Sequence, residues 1–308
     1  MTAVESVARP KRSDSVFFPA MAVAMALTVF AGFARSWFLK SVFHAPPELS
    51  VLIAVHGAVF TTWIAILIAQ TSLVARNRRD LHRKLGVAGF IVAGLMLILG
   101  TMLAIDALHR GFTPAGGPPP TVFFVVPIGD MVAFVPMLAL GWMNRSRPDY
   151  HKRYMLLATA MLLDAAVARI PIGFIETNAL PASVIGADLF IVAMMIYDFA
   201  TKRRVHPATL WSALIIVVMQ AGRGWLGGTQ IWHDFAVWVL RTLWESIGCE
   251  PSISPIKLWG RADETFFIVP CTARFVRHRN AFRFVGYGAG GRRCLGLSWH
   301  GADPRRFI

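Results

Sequence analysis

The chain has 308 residues, of which 56% are hydrophobic and only 16% are charged. A soluble domain of this length is typically about a quarter charged, so this composition argues against a soluble globular protein. Apolar runs of roughly 20 residues, the length that one helical crossing of a bilayer needs, recur along the sequence. The composition therefore predicts an all-α integral membrane protein that crosses the lipid bilayer several times.

The formal net charge of +14 does not predict nucleic-acid binding. Most of the cations cluster in short loops between apolar runs, and there is no soluble basic domain with interleaved aromatic residues. The three cysteines all lie beyond residue 248, without a CxxC pair or a zinc-ligand spacing. No metal site is predicted.

Four segments are predicted along the chain: a cytoplasmic amino-terminal segment (1–16), a membrane domain (17–230), an amphipathic or interfacial helix (231–248) and a basic, poorly structured tail (249–308). The membrane spans must be helices, because an open strand leaves backbone polar groups unpaired in hydrocarbon. We predict a bundle of about seven spans, at 17–39, 49–75, 86–108, 121–143, 154–176, 182–200 and 208–226.

The linkers between these spans alternate in charge. Three of them, like the amino terminus, are rich in Lys and Arg: 76–85, 144–153 and 201–207. The alternate linkers carry only two basic residues, Lys40 and Arg110. Basic loops stay on the cytoplasmic side of a membrane. We therefore expect the amino terminus and the basic loops in the cytoplasm.

Two of the basic linkers share one order of residues, "RRDLHRKL" (78–85) and "RPDYHKRY" (147–154). Their offset of 69 residues also superimposes the second span on the fourth and the third on the fifth. This pattern predicts a duplicated helical hairpin, and internal repeats in membrane proteins often hold a site between the copies. The alternative is that cytoplasmic loops converge on Arg and Lys without duplication.

Ionisable side chains inside spans are costly and mark candidate functional sites. We predict one buried polar cluster in the outer half of the bundle: Arg35, His56, Asp130, Asp164, Arg169 and Asp188. Such a cluster is suited to binding a polar ligand head, relaying protons or neutralising haem propionates. The alternative is a set of structural ion pairs, such as Asp164 with Arg169 on one helix face.

Two histidines begin predicted spans at the cytoplasmic edge and at equal depth, His82 and His151. Two helices that present His at one level can supply both axial ligands of a haem b. Four adjacent cations are suited to its propionates: Arg83, Lys84, Lys152 and Arg153. The alternative role for both histidines is a headgroup-level anchor. His56 has no matching His on the fourth span, so a second, outer haem lacks its ligand pair.

Several motifs carry a resemblance to known proteins: "HG" (His56 and Gly57), Gln70, "LHRKLG" (81–86) and "HKRYMLLAT" (151–159). Their layout resembles an uncharacterised family of bacterial multi-pass membrane proteins of the HRxLG/HKRxM type. That group is similar to transmembrane cytochrome b proteins, including ascorbate-reducing members. The resemblance covers roughly residues 17–235 and implies cofactor-binding positions at His56, His82 and His151.

Three classes of function remain open from the sequence. The leading expectation is an electron- or proton-transfer protein linked to haem b or a quinone. The second is a carrier or channel for a small polar or anionic solute, and the third is a non-catalytic assembly or sensory protein. A homo-oligomer is compatible with each of these. A retinal protein and a zinc protease are not favoured, because no Lys lies deep in a span and no HExxH is present.

Overall fold

The computed structural model describes residues 12–44, 50–114, 116–245, 273–278, 281–286 and 298–299. The chain divides into two compact units, Met1–Leu240 and Arg241–Ile308. Most of the predicted amino-terminal segment and all three cysteines lie outside the described residues.

Helices make up nearly all of the described chain up to residue 245. They are α1 (Arg12–Phe33), which continues as a π-helical segment (Ala34–Phe38), α2 (Lys40–Phe43), α3 (Val51–Ala75), α4 (Arg79–His109), α5 (Pro120–Phe123), α6 (Val125–Met143), α7 (Pro148–Met161), α8 (Asp164–Val167), α9 (Gly173–Thr177), α10 (Ala179–Lys202), α11 (Pro207–Gly227) and α12 (Gln230–Glu245).

In the described part of the chain, six helical segments are long enough and apolar enough to cross a membrane. They are Arg12–Phe38, Val51–Ala75, Arg79–His109, Pro120–Met143, Ala179–Lys202 and Pro207–Gly227. They correspond to the first four and the last two of the predicted spans. The prediction of an all-α, multi-pass membrane bundle is confirmed.

The predicted fifth span differs from the structure. An unbroken helix over 154–176 is not found, and α7 and α8 take its place. Between them, the amides of Leu162 and Leu163 bond to carbonyls three residues back, which tightens the turn but continues the helical path. Pro171 and its steric effect on the residue before it end the helix early. From α7 to α8 the path covers 20 residues, or about 30 Å of rise.

The tandem of α7 and α8 lies at the centre of the bundle, where it packs against α1, α6, α10 and α11. The core around it is apolar and closely packed; its fully buried members include Phe134, Met137, Leu157, Met194 and Ile216. The outer faces of the long helices expose large apolar side chains instead, such as Ile98, Val132 and Leu189. An apolar outer face is what a lipid environment requires.

Polar contacts show which helix ends meet. The Lys152 ammonium at the start of α7 lies 3.0 Å from an Asp14 carboxylate oxygen at the start of α1. The Lys202 ammonium at the end of α10 donates to Asp149 at 2.8 Å. The start of α1, the start of α7 and the end of α10 therefore share one end of the bundle. This agrees with the shared basic character of the amino terminus and of the adjoining loops.

After the last long helix, α12 occupies most of the segment predicted as an amphipathic helix. Its Trp232 indole N–H donates to the Thr121 carbonyl at 2.9 Å, and the Trp232 ring lies 5.6 Å from that of Phe124. In the second unit, within the predicted tail, the structure describes an antiparallel sheet of order β1-β2-β3: β1 (Ala273–His278), β2 (Ala281–Gly286) and β3 (Ser298–Trp299).

Candidate functional site

The two predicted haem-ligand histidines face each other in the structure. His82 is the fourth residue of α4 and His151 is the fourth residue of α7. Their ring centroids are 6.1 Å apart and the ring planes are perpendicular, at 89°. Helices that start 69 residues apart therefore present their histidines at the same level, as the sequence repeat predicted.

His151 is held in a defined orientation by α6. Its ring Nδ1 lies 2.8 Å from the Gly141 carbonyl oxygen. A Cβ at position 141 would lie 2.6 Å from the Met155 sulfur of α7, so a larger residue there would displace the Met155 side chain. A carbonyl that accepts from Nδ1–H fixes the tautomer and leaves Nε2 with a free lone pair, which is the arrangement of a metal-ligating histidine.

His82 lies beside polar atoms that lack partners. Its Nδ1 is buried without a hydrogen-bond partner, and so is the side-chain Oε1 of Gln70. Gly86 lies one turn beyond His82. A Cβ added at Gly86 would be 3.4 Å from the Gln70 side-chain amide nitrogen, so glycine leaves room for that amide. Because buried polar atoms are normally paired, these two orphan atoms mark a candidate ligand site.

Two of the four cations expected near haem propionates are committed elsewhere. Arg153 is fully buried and forms an ion pair with Asp198 of α10, and Lys152 bridges Asp14 and Asp149. The prediction that these two would meet propionates is therefore wrong. The remaining two cations, Arg83 and Lys84, are exposed beside His82.

The Arg153–Asp198 pair belongs to a fully connected ion cluster at the basic end of the bundle. Asp198 accepts from Arg153 Nε at 2.9 Å, from the Thr209 hydroxyl at 2.5 Å and from the His206 amide at 3.1 Å. The Arg153 guanidinium also donates to the Asp149 carbonyl at 2.7 Å. The buried charges of Arg153 and Asp198 neutralise each other. Asp149, whose carboxylate lies 3.7 Å from Arg153, is itself paired with Lys152 and Lys202. We call this ion cluster the balanced cluster.

His206 caps α11 beside the balanced cluster. Its Nδ1 accepts the Ala208 amide at 3.1 Å. Burial, reinforced by the cations of Arg153 and Lys202, lowers the pKa of His206 to about 4. The ring is therefore neutral at pH 7, which is the form that can accept the amide.

A second ion cluster lies deeper, in the interior between α6, α8 and α11. The Arg223 guanidinium of α11 bonds through one nitrogen to Asp130 of α6 and through the other to Asp164 of α8, the latter at 3.0 Å. All three side chains are buried. Here two carboxyl groups share one guanidinium. We call it the unbalanced cluster.

The other members of the predicted polar cluster lie apart from Arg223. The Arg169 guanidinium donates to the Ala165 carbonyl and lies over the Phe33 ring, and within the described chain it forms no ion pair with Asp164. The structure thus replaces the expected Asp164–Arg169 pair by Asp164–Arg223.

Each remaining member has separate surroundings. Asp188 accepts from the Gln220 amide at 3.0 Å. Arg35, in the π-helical segment, lies 3.8 Å from Glu176 with both side chains exposed. The His56 ring stacks on Phe60 of its own helix, and its Nδ1 is buried without a partner. The prediction of one cluster is therefore met only by Asp130 and Asp164.

Sequence reasoning missed Arg223, although a signal was present. Arg223 falls inside the predicted seventh span, 208–226, and an arginine inside a span meets the same criterion that selected Asp130 and Asp164. Its position near the end of the span, between Gly222 and Gly224, resembles a helix terminus. In the structure α11 continues to Gly227, so Arg223 lies within the last turns of the helix and points inward.

The fold and these interior ion clusters define a multi-pass, α-helical membrane protein. Comparison of the chain with protein-family models, with curated proteins and with solved structures finds no match. Any argument about activity therefore comes from the geometry of its own residues.

Proposed function

We propose that the chain is a haem b-linked electron-transfer protein of the bacterial inner membrane, with its amino terminus and basic loops in the cytoplasm. The facing pair of His82 and His151 is the observation that carries this proposal. The charge asymmetry of the loops supports the orientation, and the resemblance to transmembrane cytochrome b proteins agrees with the class of cofactor.

The pair fits the donor set of a bis-histidine haem b, so His82 and His151 are the residues that would hold the group. Their ring centroids are 6.1 Å apart. The Gly141 carbonyl already orients His151 so that Nε2 is free.

The surrounding residues have distinct roles under this proposal. A bound haem b supplies one-electron redox chemistry. Gly141 holds His151 in the ligating tautomer, and Gln70 Oε1 is an acceptor of the kind that would orient His82 in the same way. Arg83 and Lys84 provide positive charge for anionic groups at the edge of the site. A membrane quinone is the class of redox partner implied for such a protein.

An absorption spectrum of the full chain tests the proposal. After purification from haem-supplemented cells, we expect a Soret band and the sharp reduced bands of a low-spin, bis-histidine haem, at about one haem per chain. His82→Ala and His151→Ala should each abolish the low-spin spectrum. His44→Ala, at an exposed histidine outside the pair, is the matched control and should keep it. Absence of haem from the supplemented wild type would refute the proposal.

A carrier for a small polar or anionic solute is the second candidate. The burial of charged side chains between three helices, Arg223 with Asp130 and Asp164, favours it, because ionisable residues inside a membrane bundle often mark solute or ion pathways. Solute flux into proteoliposomes that disappears in Asp164→Asn and in Arg169→Gln, with Asp188→Asn retaining it, would support this candidate. Flux that persists in all three variants would exclude it.

A further inference from the structure

The unbalanced cluster contains more acid than base. Arg223 carries one positive charge, and it contacts two carboxyl groups, Asp130 and Asp164. All three side chains are buried in the bundle, with exposed fractions of 9%, 8% and 4%. With both carboxyls ionised, the cluster has a net charge of −1 inside the bundle. Burying an uncompensated charge costs several kcal/mol, so this state is strongly disfavoured.

Charges on the neighbouring helices do not supply the missing positive charge through contact. Arg169 turns its guanidinium to the Ala165 carbonyl and the Phe33 ring, and in the described bundle it acts on Asp164 only through space, without an ion-pair contact. Arg35, which follows α1, is exposed beside Glu176. On α10 the nearest acid, Asp188, pairs with neutral Gln220. The His56 ring on α3 stacks on Phe60 and forms no ion pair within the described residues.

The hydrogen bonds differ between the two acids. Both oxygens of Asp164 are engaged, because Oδ1 accepts the Ala165 amide at 2.8 Å and Oδ2 accepts Arg223 at 3.0 Å. Asp130 accepts Arg223 through Oδ1, its Oδ2 accepts no hydrogen bond from the described residues, and both acids contact the same guanidinium. A proton on Asp130 Oδ2 would therefore displace no donor, whereas a proton on Asp164 would displace an existing donor.

We infer that Asp130 is an intramembrane proton-binding site: it holds one exchangeable proton, while Asp164 remains ionised as the counter-charge of Arg223. Uptake converts the Asp130 carboxylate and one proton from water into the carboxylic acid, and release returns that proton to water. The inference stands without a haem, because it depends only on the contacts and burial of these three side chains. It adds a proton site to a proposed electron-transfer protein.

Infrared difference spectroscopy of the full chain in lipid vesicles tests this inference. Protonated carboxyl groups have a C=O stretch separate from that of carboxylates, and it shifts in D2O if the proton exchanges. At pH 7 we expect such a band in the wild type and its loss in Asp130→Asn. It should also be lost in Asp164→Asn, because Asp130 then ionises to neutralise Arg223. Asp188→Asn, which removes a nearby acid outside the cluster, should keep the band.

The Arg223→Gln variant gives an opposite expectation. Without the guanidinium, both carboxyls are expected to bind protons, so the band should increase about twofold in a chain that still folds. A thermal melt of each variant separates loss of the band from loss of the fold. Asp130→Asn mimics the protonated acid, so its melting temperature should equal that of the wild type. The inference is overturned if the wild type shows no exchangeable carboxyl band at pH 7, or if folded Asp130→Asn retains it.

Discussion

The two buried ion clusters use the same residue types in different proportions. In the balanced cluster one completely buried arginine, Arg153, pairs with one completely buried aspartate, Asp198. The second carboxylate near Arg153, Asp149, is neutralised by Lys152 and Lys202. In the unbalanced cluster one arginine, Arg223, meets two aspartates. The balanced cluster is neutral without any titration, whereas the unbalanced cluster needs a proton to become neutral.

The ratio of acids to bases gives the two clusters different roles: the balanced cluster stabilises the fold, and the unbalanced cluster can bind a proton. The balanced cluster joins α7, α10 and α11 at one bundle end, and its additional donors from Thr209 and the His206 amide leave Asp198 well satisfied. A fully satisfied network stabilises one arrangement. A network with surplus acid can exist in two protonation states, and membrane proteins use such acids for proton relays.

The largest expected effect comes from breaking the balanced cluster. Asp198→Asn leaves the Arg153 guanidinium, which has no exposed surface, without its counter-charge. Removing one partner of a buried ion pair costs about 3–5 kcal/mol. Reversible unfolding in mixed micelles measures this loss. Asp80→Asn is the control, because Asp80 forms an exposed ion pair with Arg78 and its loss should leave the free energy of unfolding nearly unchanged.

A steric change next to the unbalanced cluster should have the second-largest effect. Gly32 of α1 lies so close to α8 that a Cβ would be 2.0 Å from the Ala166 carbonyl oxygen. Gly32→Ala must therefore push the two backbones apart and shift Asp164, at a cost of about 1–3 kcal/mol.

The matched control for that change is Gly94→Ala. Gly94 lies inside α4, where an added Cβ meets nothing within 4 Å, so the better helix propensity of alanine should leave stability unchanged or slightly increased. Unfolding of the two variants under identical conditions compares them. Equal stability of Gly32→Ala and wild type would contradict the close packing of α1 on α8.

Removing one acid from the unbalanced cluster should cost much less than Asp198→Asn. In Asp164→Asn, Arg223 keeps Asp130 as a counter-charge, and the cluster becomes a one-to-one pair. We expect a loss of about 1 kcal/mol, the net value of a typical hydrogen bond. The same unfolding assay measures it. A loss as large as that of Asp198→Asn would show that the two clusters play the same structural role.

At neutral pH the smallest effect should come from His206 in the balanced cluster, whose titration changes stability only under acidic conditions. Its pKa in the folded chain is lowered from 6.5 to about 4, so the unfolded chain binds more protons between these values. Stability should therefore be complete above pH 6.5 and fall as the pH decreases toward 4. Protonation of Nδ1 also removes the acceptor for the Ala208 amide.

His206→Asn should reduce this pH dependence, because an asparagine can cap the helix but does not titrate. Thermal melts of the variant and the wild type at several pH values between 4 and 7 provide the comparison. Two parallel melting profiles would show that His206 is not the titrating group.

Much of the architecture was predictable from the sequence because long apolar runs and basic loops are local signals. They predicted six segments that the structure finds as long helices. The shared Asp-x-His order in two loops predicted that His82 and His151 lie at one level, and their rings are adjacent. The length of a helix and the level of a histidine along it depend on spacing along the chain, and this spacing can be read directly from the sequence.

Partner choice in the interior was not predictable in the same way. Asp164 has a cation five residues away on its own segment, Arg169, yet it pairs with Arg223, which is 59 residues away. Arg153, expected at a propionate, pairs with Asp198. Which ion pairs form depends on how the helices rotate and pack against one another, and this cannot be read from the spacing of residues in a single sequence. The helix break after Met161 was missed because Leu162 and Leu163 are apolar and fit an unbroken span.

The central position of α7 and α8 has a consequence for biogenesis. This segment contains Arg153 and Asp164, and α7 and α8 are not among the six helical segments that are both long and apolar enough to cross a membrane. Moving such charges from the translocon into lipid is unfavourable until they are neutralised. Their counter-charges, Asp198 on α10 and Arg223 on α11, are synthesised later. We therefore expect α7 and α8 to integrate stably only after the last two long helices have been made.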